Sequence, residues 1–383
     1  MFTSLNPTTE EILGTWPDHT AEDIERKLAI AQDTFKTWRL TSIEERTRLL
    51  LTLAKNLRAQ SRTLGEIATK EMGKPITAAI AEIEKCALGC EYYAKEADTI
   101  LTPKAIETDA SRSEVHYQPL GPILAVMPWN FPFWQVIRFA APALATGNVC
   151  LLKHASNVPQ CALALEQLFV EAGFPEGCFQ TLLIRAQAIE PILRDHRIKA
   201  VTLTGSEAAG RDVARIAGDE IKPSVLELGG SDPFIVFPDA DIQTTVNTAL
   251  TARLQNNGQS CIAAKRFLVH RDIADTFTQK FVQGFEAIRV GDPMDESTQV
   301  GPLATQKIRT DIENQVQRSI AAGTTILTGG RRLDRKGFFY TPTILTNIKP
   351  GVPAYHEELF GPVATLMTFD TLEEAIHIAN DTN

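Results

Sequence analysis

Between residues 121 and 228 the chain repeats one alternation. Five short apolar runs, "PILAVM" (122–127), "VCLLK" (149–153), "FQTLLI" (179–184), "AVTLT" (200–204) and "PSVLEL" (223–228), are separated by helical stretches such as 160–172 and 207–217. Short apolar strands alternating with helices indicate βαβ units and a parallel sheet. Right-handed crossovers then bring the carboxyl ends of the strands to one edge, where ligands bind. The expected class is therefore α/β, with its chemistry on the loops that follow strands.

The flanks extend this organisation. At 383 residues the chain exceeds what one core usually serves, so at least two domains are expected. The first hundred residues read as helices. Thr20 with Asp23, and Ser42 with Glu45, have the spacing of helix starts. Ile24, Leu28, Ala31, Phe35 and Trp38 recur along one helix face. Residues 105–120, "AIETDASRSEVHYQPL", mix Thr, Val and Tyr with charges and read as an exposed strand or arm. After 229 a second α/β pattern begins: "PFIVF", a helix from Asp241, "RFLVH", a helix from 272, and strands near 340 and 365. Only Gly229-Gly230 marks the change.

Composition excludes several classes. The net charge is −9 with no Lys/Arg run, a poor match for nucleic acid. No apolar run approaches the ~18 residues of a membrane span. The first residues contain early acids and no apolar signal core. Six cysteines, at 86, 90, 150, 161, 178 and 261, form no CxxC pair, so free thiols in a reducing, cytoplasmic setting are expected. Cys86 and Cys90 lie one helical turn apart. With no His or further Cys beside them in sequence they read as two small residues on a helix face, and no metal is expected.

Four stretches carry candidate chemistry. "GSEAAG" (205–210) follows a strand and opens a helix, a place suited to a pyrophosphate. It is neither a P-loop nor G-x-G-x-x-G, and Ser206 as a helix cap with Gly210 as a packing residue explains it equally well. "MPWNFP" (127–132) fixes Trp129 and Asn130 between prolines, and a side-chain amide on a rigid turn can donate to an oxyanion. In "LELGG" (226–230) Glu227 stands between two leucines. Burial there would raise its pKa and suit a general base, whereas a carboxylate pointing out of the sheet would be unremarkable. "QNNGQSC" (255–261) presents Cys261 either as buried filler or as a nucleophile.

Together with "LLKHAS" (151–156), "LTGSEAAG" (203–210) and "EELFGP" (357–362), these stretches resemble the aldehyde dehydrogenase superfamily, in its order and over nearly the whole chain. The "LKHASN" and "LELGGSDPFIV" variants are most similar to bacterial succinate-semialdehyde dehydrogenases. The resemblance implies a Rossmann-type parallel-sheet cofactor domain from 1–104 and 121–228, an oligomerisation arm strand at 105–120 and an α/β catalytic domain from 229 to 383. It implies Cys261 as nucleophile, Glu227 as general base, and Asn130 with the Cys261 amide as oxyanion hole. It places NAD or NADP against Trp129, Lys153, Ser156, Gly205, Ser206, Leu228, Glu358 and Phe360. Arg138, eight residues after Asn130, resembles a clamp for the carboxylate of succinate semialdehyde.

Three departures qualify the match. Ser156 stands where many NAD-preferring relatives have a Glu for the ribose, so NADP is admitted. Gln255 stands where some succinate-semialdehyde enzymes have a second Arg. The sequence stops at "IANDTN", short of the final catalytic segment and the terminal strand that pairs subunits in the family. The implied homo-oligomer is accordingly not expected to assemble normally from this chain. Two alternatives stay open: a relative that passes its acyl group to coenzyme A, which Glu227 argues against, and a catalytically dead member with a binding or structural role.

Overall fold

In the computed structural model, which describes residues 1–382, the first two helices begin where side chains satisfy their free amides. Thr20 precedes α1 (Ala21–Trp38). Its Oγ1 accepts from the Asp23 amide at 3.1 Å, and the Asp23 carboxylate accepts from the Thr20 amide at 3.0 Å, a reciprocal capping box. Leu28, Ala31, Phe35 and Trp38 form its buried face. Ser42 caps α2 (Ile43–Ala59) from one side, its Oγ accepting from the Glu45 amide at 3.3 Å. α3 (Ser61–Met72) and α4 (Ile76–Leu101) follow.

The chain divides into two compact units. The first comprises Met1–Ser4, Ile12–Ala68 and Ala79–Leu228. The second comprises Leu5–Glu11, Thr69–Ala78 and the chain from Gly229 onward. The last residue, Asn383, at which the sequence was read to stop short, lies outside the described residues.

Near the N-terminus β1 (Phe2–Leu5) pairs with β2 (Ile12–Trp16). The 105–120 stretch is exposed, as its polarity demands, but contains little strand. It holds only β3 (Lys104–Ala105) and β4 (Glu114–Val115), joined antiparallel with Lys104 opposite Val115. With no apolar face to bury, the pairing goes no further than one more backbone bond, from the Ile106 amide to Ser113 O at 2.9 Å.

The first unit is built on β5 (Pro122–Met127), β6 (Val149–His154), β7 (Phe179–Thr181), β8 (Ala200–Thr204) and β9 (Ser224–Glu227). They form one parallel sheet in the order β7-β6-β5-β8-β9. The order reverses direction at β5, and such switch points leave a crevice beyond the carboxyl ends of the strands. α5 (Trp134–Ala145), α6 (Pro159–Glu171), α7 (Ile189–Arg194) and α8 (Glu207–Asp219) are the connections, and α1 also packs on β5, β6 and β7. β7 is shorter than the apolar run suggested. Leu182 still donates to Leu152 O, but the Ile184 amide turns back onto Leu182 O and ends the strand.

The second unit carries β10 (Asp232–Val236), α9 (Ile242–Leu254), β11 (Ala264–His270), α10 (Arg271–Glu286), α11 (Gln306–Ala321), β12 (Thr325–Thr328), β13 (Thr343–Thr346), α12 (Pro353–His356), β14 (Val363–Phe369) and α13 (Leu372–Asn380). Its sheet runs β10-β11-β14-β13-β12, parallel except for β12. Phe267 of β11 and Phe277, Phe281 and Phe285 of α10 are all buried, with neighbouring ring centroids 4.8–5.2 Å apart, and they anchor the core of this sheet.

Candidate active site

In the first unit, four strand ends deliver the residues singled out by sequence. β5 ends at Met127, and the turn 128–132 follows, with Trp129 half-buried and Asn130 buried. Two side chains fix this turn. His154, the last residue of β6, is buried, and its Nδ1 accepts from the Ala155 amide at 2.9 Å. The proton is therefore on Nε2, which donates to Pro132 O at 2.8 Å. That tautomer leaves Nδ1 no proton for Met127 O, 3.3 Å away. Burial pushes the imidazole down to about 4, so it stays neutral. Glu82, buried on α4, accepts from the Phe133 and Trp134 amides, each at 2.9 Å. Its carboxylate thus sits on the positive end of α5.

α5 carries Arg138. Its Nη2 donates to Oγ1 of Thr204, the last residue of β8, at 3.1 Å, and lies 3.5 Å from Glu227 Oε2. Both charged groups line a cavity of about 480 Å³ whose other walls include Met127, Phe139 and Val225. Of the two readings left open for Glu227, the structure has the one that points out of the sheet: its side chain is 55% exposed. β9 is an edge strand with Ser224 and Val225 also exposed, so the flanking leucines do not enclose the carboxylate. The argument from burial to a general base falls away, and any such role rests on other grounds.

Lys153 and Ser156 stand at and just past the end of β6. Lys153 is half-buried, and burial lowers its pKa; Ser156 is exposed. Both plain readings of "GSEAAG" hold. Ser206 caps α8, accepting from the Ala209 amide at 3.4 Å. A Cβ on Gly210 would come within 2.6 Å of Leu228 Cδ2, so the glycine makes room for Leu228. Gly205 donates to Glu227 O at 2.9 Å, tying the start of this loop to β9.

In the second unit, Cys261, Glu358 and Phe360 precede the amino ends of the paired strands β11 and β14. Cys261 follows three successive left-handed residues, Asn256 (φ 53°), Asn257 (φ 59°) and Gly258 (φ 73°). Asparagine tolerates this region better than most residues. At Gly258 a Cβ would lie 2.2 Å from Gly361 O, so only glycine fits. Asn257 is buried, and its Nδ2 donates to Gly73 O (2.8 Å) and Pro302 O (2.9 Å) while its Oδ1 accepts from the Gly301 amide (2.8 Å). Gln259 Oε1 accepts from the Ala304 amide at 3.0 Å.

Two buried cations complete the loop. Arg253 donates through Nη1 to Ala264 O (3.1 Å) and through Nη2 to Gly258 O (3.1 Å), Leu359 O (3.0 Å) and Gly361 O. Lys265 Nζ donates to Cys261 O at 2.7 Å and Ala263 O at 3.3 Å, and lies 3.2 Å from Glu358 Oε1. The other oxygen of Glu358 lies where a Cβ on Gly229 would be, 2.2 Å away, which explains that glycine.

Among the described residues Cys261 is the only cysteine that is not buried. Burial pushes Cys90 and Cys178 up to about 12 and Cys150 well above its usual range, so these thiols are inert. Among the described residues no group of three or more His, Cys, Asp or Glu is placed to hold a metal, and no helix is long and apolar enough to cross a membrane.

Sequence reasoning did not single out Glu82, His154, Arg253, Asn257 or Lys265. The Asn-Asn-Gly run was a visible sign of left-handed backbone, charges set in apolar helix or strand runs mark Glu82, Arg253 and Lys265, and a polar ring at the end of an apolar strand marks His154.

Residues 1–383 match the aldehyde dehydrogenase family. The chain belongs to that family. It is an oxidoreductase that acts on aldehydes. It is 53% identical over 382 residues to a succinate-semialdehyde dehydrogenase [NADP(+)] of Mycobacterium tuberculosis, covering 99% of this chain and 84% of the relative. It is 52% identical over 378 residues to a probable succinate-semialdehyde dehydrogenase [NADP(+)] of Synechocystis, covering 99% of this chain and 83% of the relative. The structure of succinic semialdehyde dehydrogenase from Streptococcus pyogenes, in complex with NADP+, superimposes with a TM-score of 0.98 at 37% identity, covering 100% of this chain and 84% of that one.

The neutral His154 makes this aldehyde dehydrogenase acid-sensitive in a defined window. The unfolded chain protonates this ring near 6.5 and the folded chain only near 4, so acid favours unfolding between those values. The contribution is intact above pH 6.5 and is lost as pH falls to about 4, amounting to about 3 kcal/mol. His154→Gln should shrink the loss of urea stability between pH 7 and pH 4 by about that amount. An equal loss in both proteins would show that His154 is not the titrating group.

Proposed function

We propose that this chain oxidises a short aldehyde bearing a carboxylate, succinate semialdehyde in the simplest case, to the acid, with NADP or NAD as acceptor. The observation that carries the substrate is Arg138, a half-buried guanidinium in a cavity of mostly apolar walls that it shares with Glu227, 3.5 Å away. The relatives' activity points the same way. In this reading the first unit, with the exposed 105–120 arm, is the dinucleotide-binding domain and the second is the catalytic domain. An acidic chain with six free thiols suits a cytoplasmic enzyme without a nucleic-acid partner, and the family likeness suits a homo-oligomer.

The residues past β5, β6 and β8 fit a dinucleotide. The capped N-terminus of α8 favours a pyrophosphate, and Ser156, exposed and uncharged, leaves a 2′-phosphate unrepelled. Trp129, Lys153, Gly205, Ser206 and Leu228 would hold it there, with Glu358 and Phe360 at the nicotinamide half. When bound, the nicotinamide supplies a hydride acceptor. Cys261, its proton lost to solvent, attacks the aldehyde carbon as the thiolate, giving a thiohemiacetal alkoxide. The Asn130 amide and the Cys261 backbone N–H donate to that oxygen. Loss of hydride leaves a thioester on Cys261. Glu227 takes a proton from water, whose oxygen attacks the thioester carbon and expels the thiolate. Its exposure suits a base that must reach water, and its presence favours hydrolysis over transfer to coenzyme A.

Cys261→Ala should form no NADPH from succinate semialdehyde yet quench its tryptophan fluorescence with NADP+ as the parent does. Retained turnover would sink the assignment. Arg138→Ala should raise KM for succinate semialdehyde roughly tenfold to hundredfold, the worth of one charge-assisted bond, while KM for propanal stays near the parent value. Equal losses on both aldehydes would make Arg138 a structural residue.

A further inference from the structure

Lys265 is the second residue of β11, and its side chain is 1% exposed. A buried ammonium has three protons to place, and each must find a partner. Two go to the carbonyls of Cys261 (2.7 Å) and Ala263 (3.3 Å), the two ends of the short turn that carries the thiol. The ammonium also lies 3.2 Å from Glu358 Oε1, an ion pair without an aligned hydrogen bond, and among the described residues this is the carboxylate paired with it. Glu358 is only 28% exposed, and its second oxygen rests against Gly229. One nitrogen therefore joins the peptide of Cys261 to the carboxylate of Glu358.

Arg253 holds the same two loops, but by main-chain carbonyls alone, Gly258 O on one side and Leu359 O and Gly361 O on the other. That link does not change when a ligand engages Glu358. The link through Lys265 does. Drawing the carboxylate toward a hydroxyl of a bound ligand takes charge from the ammonium, whose remaining protons then bind the Cys261 and Ala263 carbonyls more strongly.

We propose that Lys265 is a positioning residue that couples Glu358 to the Cys261 turn, so that cofactor engaging Glu358 resets the reactivity of the thiol. This rests on the reading of Cys261 as nucleophile and Glu358 as a cofactor contact. The readout is the rate at which iodoacetamide alkylates Cys261, followed by peptide mass, with and without saturating NADP+. The buried cysteines do not compete. In the parent, NADP+ should change this rate by at least about fivefold, the lower end of ordinary coupling between sites.

Lys265→Met keeps the length of the side chain and removes its charge and donors. NADP+ should still quench its fluorescence but leave the alkylation rate within about twofold, below the coupling expected of the parent. Lys265→Arg, which keeps charge and donors, should recover part of the effect. Glu358→Gln at saturating NADP+ should abolish the effect as Lys265→Met does, and the double variant should lose nothing more. An undiminished NADP+ effect in Lys265→Met would overturn the proposal, since the cofactor would then act on the thiol directly. So would a parent rate indifferent to NADP+. A failed nucleophile assignment looks different: Cys261→Ala would turn over aldehyde while these alkylation rates remained readable.

Discussion

A buried guanidinium holds together the loops before β11 and β14 in the second unit. Arg253 is fully buried; its two terminal nitrogens face main-chain carbonyls from the loop before β11, β11 itself and the loop before β14, while its Nε is buried without an acceptor. A buried cation is costly, and these carbonyls are what offsets the cost, so the segments that supply them have strong reason to stay in one arrangement. That constraint makes possible what sequence alone disfavours, three left-handed residues in succession before Cys261. Such backbone persists only where its surroundings over-determine it. Asn257 adds a second lock through three bonds to neighbouring main chain. The Cys261 thiol, for which we propose the role of nucleophile, is thus placed by main-chain contacts rather than by its own packing.

The first unit solves its positioning problem differently. Its loops follow the strand ends of a parallel sheet, and the turn that carries Asn130 is closed by two buried polar side chains. Glu82 uses its charge, satisfying the first amides of α5. His154 uses its neutrality, since a protonated ring would have no acceptor for the Ala155 amide. Arg138 and Glu227, half-buried and exposed, keep the freedom that the substrate and water contacts proposed for them require.

Much of this was legible in the sequence for physical reasons. Strand and helix periods in 121–228 report burial directly, and β5 and β8 have the bounds of their apolar runs. The caps at Thr20 and Ser42 are local chemistry and need no tertiary context. Glu227 shows where the same logic stops. Its strand composition is that of a core strand, but a strand's place in a sheet is decided by partners, and β9 lies at the edge. Arg253 was hidden for a related reason. Its acceptors are main-chain oxygens, two of them more than a hundred residues away, and no side-chain type announces them.

The covalent role of Cys261 is the claim on which the chemistry turns, and trapping its acyl intermediate tests it most directly. Glu227→Gln enzyme, mixed with succinate semialdehyde and NADP+ and quenched in acid after one turnover, should yield one NADPH per chain. The peptide carrying Cys261 should gain the mass of one succinyl group. NADPH formed with that peptide unmodified would contradict the account.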